Sequence, residues 1–188
     1  DIGGFYGGDT ESAYFRELIV RWFQYGVFCP VTRLHGSRKG QDRTRGIIEP
    51  TGGDNELWSF GEEAFEILKE LVMLRERLRP YVETHMKTAS QKGTPMMRPI
   101  FYDYPDDEQC YTLGEQYLFG DDILFAPITE QGQTKKEVYL PQGRWVLTKD
   151  AQTYLGGRWY TIEAALNEFI AFVKDGAEVI NCFHGDMQ

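Results

Sequence analysis

Apolar residues in the first part of the chain recur at helical spacing. Between residues 10 and 28, Phe15, Leu18, Ile19, Trp22 and Phe23 follow the i, i+3, i+4, i+7, i+8 pattern of an amphipathic helix. Asp9 or Thr10 is placed to cap its start, and Glu11 suits the positive end of the helix dipole. Gly26 weakens the last turn. The stretch VFCPVTRLH then predicts a short buried strand running into a polar turn. Residues 36–57 are rich in Gly, Arg and Asp and predict a long loop, a feature that is often functional inside a compact domain. A second helix is predicted from Ser59, where Ser59 and Glu62 have the spacing of a capping box. Ala64, Phe65, Leu68, Leu71, Val72, Arg75, Leu78 and Val82 carry the period onward. Pro80 predicts a kink, since it removes a backbone donor, and Gly93 predicts the stop.

From Thr94 the texture changes. MMRPIFYDYP, EQYLFG, DDILFAPIT, KKEVYLP, RWVLTK, RWYTIEA and EFIAFVKDG are short and rich in β-branched or aromatic residues. Gly, Pro, Asp and Gln separate them, which is the signature of an all-β sandwich or barrel. The expected division is therefore residues 1–93, holding about two βα units, and residues 94–188, a β-domain.

Composition narrows the partners. The formal net charge is −9, which argues against nucleic acid and against an anionic membrane surface, because both need concentrated Lys and Arg. The one basic cluster, Arg38, Lys39, Arg43 and Arg45, reads as a solvated loop. Aromatics reach 14%, many set among polar residues, as in carbohydrate-active and β-rich proteins. Cys29, Cys110 and Cys182 are far apart and odd in number, which predicts reduced thiols. No apolar run approaches the length of a membrane span.

Candidate chemistry begins with DIGGFYGGD. Its glycines lack the G-x-G-x-x-G spacing and no Lys-Ser/Thr follows, so a phosphate loop is not expected. The plain alternative is a glycine-rich strand-to-helix turn. An Asp at a strand's carboxyl end, just before a βα loop, is also where barrel enzymes place groups that touch substrate. His35 holds the equivalent place one βα unit later. Asp1 and His35 are thus expected to project into one cleft, with Arg33 close enough to pair with Asp1 and hold it ionised. The start reads as the end of a barrel strand, and the chain is expected to be the back part of a larger enzyme. The doublets Asp106–Asp107 and Asp121–Asp122 do not make a catalytic pair, since neighbours in a strand point to opposite faces. His35, His85 and His184 are too scattered for metal-ligand spacing, and no metal or cofactor is expected.

DIGGF, then ELIVRWFQYGVFCPVTRLH, ELWSFGEE, LRERLRPYV, GTPMMRPIFYDYPDD, QYLFGDDILFAPI, VYLPQGRW and YLGGRWYTIEA, in that order, resemble glycoside hydrolase family 31. This family of retaining α-glucosidases, α-xylosidases and relatives has a (β/α)8 barrel followed by a proximal β-sandwich. The RLHGS form is closer to the α-xylosidase branch. The resemblance implies that residues 1–5 close barrel strand seven, 10–28 are its helix, 28–34 are strand eight and 60–92 are the last barrel helix. An antiparallel β-sandwich would follow.

The implied activity is hydrolysis of terminal non-reducing α-linked xylose or glucose with retention, through two carboxyl groups about 5–5.5 Å apart. In the family both precede the DIGGF motif, so no residue here takes either role. The implied substrate-binding set is Asp1, Phe5 and His35: Asp1 accepting from sugar hydroxyls or anchoring a neighbouring cation, Phe5 bounding the pocket with its ring, and His35 donating near C2 or C3. Arg33 and Trp22 would support them, Trp22 by packing helix to barrel. The implied partners are an oligosaccharide and the rest of the parent barrel, with self-association through the open barrel face. The competing reading is a non-catalytic carbohydrate-binding or structural β-domain.

Overall fold

The structure is a computed structural model that describes residues 1–38 and 53–184. Three helices come first: α1, Ala13–Val27; α2, Glu62–Arg77; and α3, Arg79–Lys92. Eight short strands follow: β1, Met97–Arg98; β2, Tyr117–Phe119; β3, Ile123–Phe125; β4, Lys135–Leu140; β5, Arg144–Leu147; β6, Thr153–Leu155; β7, Arg158–Glu163; and β8, Ala171–Lys174. They form a six-stranded antiparallel sheet ordered β1-β2-β3-β8-β5-β6 and a separate antiparallel ribbon of β4 and β7.

Several predicted boundaries move, each for a local reason. Helix α1 starts at Ala13, because Asp9 first accepts from Glu11 N at 2.9 Å and closes a tight turn that leaves Ser12 at the N-cap. The Ser59–Glu62 capping box does not form. Ser59 instead donates to Glu56 Oε2 at 2.9 Å inside a 3-10 turn, Leu57–Phe60, and Gly61 takes the N-cap of α2. The kink expected at Pro80 is a break two residues earlier, at Leu78, which puts Pro80 in the first turn of α3, where no N–H is required. Gly93 ends α3 in the left-handed cap position. The strand expected over 28–34 is absent as a named strand. Phe28 and Cys29 still donate back to Tyr25 and Gly26, and Pro30 has no N–H to offer, so the chain keeps turning out of α1. Its pairing with the opening segment begins only at Arg33.

The central strands β2, β3 and β8 of the six-stranded sheet are largely buried on both faces, whereas the edge strand β6 is open to solvent. Register places Phe119, Ile123 and Val173 in one row across β2, β3 and β8, and Leu118, Leu124, Phe172 and Leu147 in the next row across β2, β3, β8 and β5. The first row, with Phe125 and Ala171, packs against Ile19, Phe28, Leu68 and Leu78 of the helical part. The second, with Trp145, packs against Val138, Leu140 and Ile162 of the ribbon. This alternation is the period-2 pattern of strands read twice, once toward each layer.

Phe28 joins the two halves. It is fully buried, stacked on Phe125 at 4.2 Å and edge-on to Phe119 at 6.0 Å, and its carbonyl accepts from the Tyr117 hydroxyl at 2.8 Å. Arg75 of α2 covers the orphan carbonyls beyond α1, donating to Val27, Cys29 and Pro30 at 2.7, 2.8 and 3.0 Å. Arg21 and Gln24, buried on α1, hold the β-domain loops. Arg21 donates to the carbonyls of Ala165, Glu168, Gln133 and Ala164, and Gln24 to those of Leu166 and Glu168. Among the described residues, no helix is long and apolar enough to cross a membrane.

Candidate functional site

The opening segment and the segment after α1 run side by side. Ile2 N donates to Arg33 O at 3.1 Å, Ser37 N to Phe5 O at 3.1 Å, and Gly7 N to Ser37 O at 3.1 Å, with a parallel bridge between Tyr6 and Ser37. Parallel rungs of this kind are what successive barrel strands make.

Two pairs of side chains face each other across these rungs. Arg33 Nε and Nη2 both approach Asp1 Oδ1 at 2.7 Å. The second carboxylate oxygen, Oδ2, takes no hydrogen bond from a described residue. One rung further on, the Phe5 and His35 rings lie 5.1 Å apart at 38°, with Tyr6 edge-on to Phe5 at 4.2 Å. Phe5 and His35 are exposed, whereas Ile2 and Gly3 beneath them are buried. The Arg33–Asp1 contact expected from sequence is therefore present, and Asp1, Arg33, Phe5 and His35 lie along two adjacent strand ends.

Trp22 is not among them. Trp22, expected from sequence to pack helix to barrel, is 37% exposed within these residues, while Arg21, Phe23 and Gln24 around it are buried.

The acidic doublets serve the fold. Asp107 accepts from Gln109 N at 3.1 Å and from the Tyr139 hydroxyl at 2.8 Å, and Asp121 pairs with Arg98 at 2.8 Å. His85 lies beside Asp121 at 3.9 Å, where burial pushes the imidazole pKa down against partial opposition from Asp121 and Asp122. Among the described residues, no group of His, Cys, Asp or Glu side chains could hold a metal ion.

Two residues that support the turn escape a reading of the sequence. Arg38, expected in a solvated loop, is instead 2% exposed. Its Nη1 donates to the carbonyls of Gly3, Gly4 and Gly7 at 3.1, 2.7 and 3.4 Å, its Nη2 to Ile2 O at 2.8 Å, and its Nε to Asn55 Oδ1 at 2.6 Å. Burial pushes the guanidinium pKa down from its ordinary value, yet an arginine stays charged. Lys39, Arg43 and Arg45 lie outside the described residues, as does most of the 36–57 loop. The clue available in sequence was indirect: a glycine-rich turn offers many carbonyls and no side chains to satisfy them.

Gly36 sits where the two segments come closest. Its φ is +138°, and a Cβ there would lie 2.5 Å from Phe5 O and 3.0 Å from Gly4 O. Gly36→Ala should therefore cost roughly 2–4 kcal/mol from overpacking and backbone strain together. A thermal melt of the variant checks this, and an unchanged midpoint would contradict the close approach.

Comparison with known proteins follows the same two-part division. Residues 1–85 match the glycosyl hydrolases family 31 TIM-barrel domain, and residues 93–179 match the glycosyl hydrolase family 31 C-terminal domain. An α-xylosidase of Saccharolobus solfataricus is 35% identical over 94% of this chain, and α-glucosidase 2 of Bacillus thermoamyloliquefaciens is 34% identical over 95%. The crystal structure of a family 31 α-xylosidase from a soil metagenome, complexed with xylose, superposes on 97% of this chain with a TM-score of 0.89 and 45% identity. The chain spans 22%, 21% and 28% of the lengths of these three proteins. With strand ends bearing D-I-G-G-F and R-L-H on neighbouring rungs, and matches to both domains in order along the sequence, the chain belongs to glycoside hydrolase family 31.

Proposed function

We propose that these residues supply one wall of the sugar subsite in a retaining α-glycosidase that removes terminal non-reducing α-linked xylose or glucose. The observation that carries this reading is the pairing of Asp1 with Arg33 and of Phe5 with His35 on adjacent parallel rungs. Asp1 Oδ2 accepts from a sugar hydroxyl while Oδ1 keeps the Arg33 contact that orients it. The Phe5 ring bounds the apolar face of the sugar, and His35 donates to a hydroxyl near C2 or C3, where hydrogen bonds strengthen as oxocarbenium character develops. The attacking carboxylate and the proton-donating carboxyl come from other strands of the barrel. The names of the relatives, α-xylosidase and α-glucosidase, favour the two sugars.

The same reading assigns residues 1–93 to the barrel and 94–188 to the β-sandwich. A groove of about 360 Å³ lined by Ile2, Phe23, Val27, Leu34, Leu57 and Val72 is the face that the other barrel strands cover. In the 188 residues expressed alone, that face should drive self-association, visible by light scattering as growth in mass with concentration.

The test compares the 188 residues alone with the full-length protein on p-nitrophenyl α-xyloside and α-glucoside. The expected result is no turnover by the former and turnover by the latter, with Phe5→Ala and His35→Gln each lowering kcat/KM by about 10–100-fold. Turnover by the 188 residues alone at an enzymatic rate would overturn the assignment of catalysis to other strands. Sugar binding by the full-length protein without turnover would favour a non-catalytic carbohydrate-binding protein.

A further inference from the structure

We propose that Arg38, steadied by Asn55, is a positioning residue that fixes the angle at which Asp1 and Phe5 meet the sugar. This rests on the subsite reading above and adds a residue to it. The carbonyls of Ile2, Gly3, Gly4 and Gly7 converge on one buried guanidinium. Each peptide unit is planar, so holding its carbonyl direction leaves it only rotation about that bond, and four nearby carbonyls aimed at one group leave a glycine-rich turn little conformational freedom. Without that anchor, this is a segment in which glycine permits many backbone conformations. Asp1 precedes the first anchored carbonyl and Phe5 follows the third, so both side chains leave the turn at angles set from beneath.

The second rung is tied to the same group. Asn55 accepts from Arg38 Nε at 2.6 Å and donates through Nδ2 to Gly36 O at 3.2 Å. Gly36 adjoins His35, so a single arginine–asparagine pair connects the backbone carrying Asp1 and Phe5 to the backbone carrying the imidazole. The fit is close. A Cβ on Gly3 would lie 2.9 Å from Arg38 Nη2 and 2.5 Å from Ile19 Cδ1, and the Phe15 ring lies 5.4 Å from the guanidinium carbon. Arginine is the side chain that suits this cage, with five donors in a fixed planar fork. Lysine would bring the charge to a single point and reach fewer carbonyls.

A buried arginine in a cage of carbonyls also stabilises a fold, and the molecule holds its own comparison for separating that effect from positioning. Arg21 makes the same kind of cage with the carbonyls of Ala164, Ala165, Glu168 and Gln133, in the β-domain loops. The experiment measures kcat, KM and thermal midpoint for R38M, R38K, N55A and R21M in the full-length protein on p-nitrophenyl α-xyloside or α-glucoside. R38M should lose about 100-fold in kcat/KM, mostly in kcat, as small misplacements of binding groups do. R38K should recover only part of that loss. R21M should lower the thermal midpoint by a similar amount while its folded fraction stays within about 3-fold of wild type in kcat/KM. N55A, a milder change that leaves the arginine in place, should lose about 5–20-fold and decides the matter if R38M does not fold. Equal kinetic losses in R38M and R21M, or wild-type kinetics in R38M or N55A, would overturn the positioning role. If Asp1→Ala and His35→Gln also have wild-type kinetics, the subsite reading fails; if they lose activity and the Arg38 and Asn55 variants do not, only this inference fails.

Discussion

Replacing Asp1 with alanine in the full-length protein is expected to lower kcat/KM toward its α-glycoside by about 10²–10³-fold, while the folded protein melts within about 2 °C of wild type. The activity loss follows from the free carboxylate oxygen. Oδ1 is engaged by Arg33, and in the proposed subsite Oδ2 takes the sugar hydroxyl, so the variant removes a charged acceptor whose hydrogen bond would tighten as positive charge grows on the ring. An interaction that strengthens toward the transition state appears in kcat more than in KM. The small stability effect follows from exposure. The Arg33 side chain is 62% accessible, and an ion pair so open to solvent contributes little. Asp1→Asn, which keeps the shape and removes the charge, should fall between alanine and wild type. Steady-state kinetics beside a thermal melt decide the outcome. A loss below about 5-fold, or a large fall in melting temperature, would remove Asp1 from the subsite.

Arg98→Leu is expected to be the most damaging single change to stability among the polar residues, at about 3–5 kcal/mol. Arg98 is buried and makes a two-point contact with Asp103, Nε to Oδ1 at 3.0 Å and Nη2 to Oδ2 at 2.7 Å, with Asp121 at 2.8 Å and Pro95 O at 3.1 Å. Leucine would leave the partly buried Asp103 without its cation. The Asp121 contribution is the smaller one, because that carboxylate is 63% accessible and screened by water. The pH dependence has a definite sign. Burial alone would raise the Asp121 pKa, but the Arg98 hydrogen bond and the charges of His85, Arg98 and Lys174 bring it below the usual carboxylate value. A carboxylate depressed in the folded state adds stability above its unfolded pKa of about 3.9 and loses it as pH falls through the folded value. The gap between wild type and R98L should therefore be full at neutral pH and narrow below about pH 4. Denaturant melts at several pH values test both the size and the direction, and a gap that widens in acid would contradict the ion-pair account.

The parts legible in sequence were those where one residue type has one physical use. The helical period of Phe15, Ile19 and Phe23 emerged as a buried face of α1, and Gly93 emerged as a helix stop. The antiparallel texture after Thr94 was readable because β-branched and aromatic runs cut so often by Gly and Pro are too short to fold as helices and long enough for strands. The Asp1–Arg33 contact was readable because opposite charges on consecutive strand ends have a short path to each other. What stayed hidden depended on partners distant in sequence. Ser59 could have capped α2 but found Glu56 first. Arg38 belongs by composition to a charged loop, and only folding shows that four main-chain carbonyls claim its guanidinium. Local charge density says how many cations a segment holds, but not which of them the backbone will draw inside.

The six-stranded sheet, with apolar rows turned both to the helices and to the ribbon, bears on how such enzymes can be recombined. A bolt-on accessory has one sealed side and travels between hosts without leaving a wound. Here the ribbon seals one side, but the other is closed only by the helices, and lifting the unit away would strip the lid from the final helices of the cylinder. Natural or engineered shuffling in this lineage should therefore cut ahead of those helices, and inherit them together with the sheet as one indivisible graft.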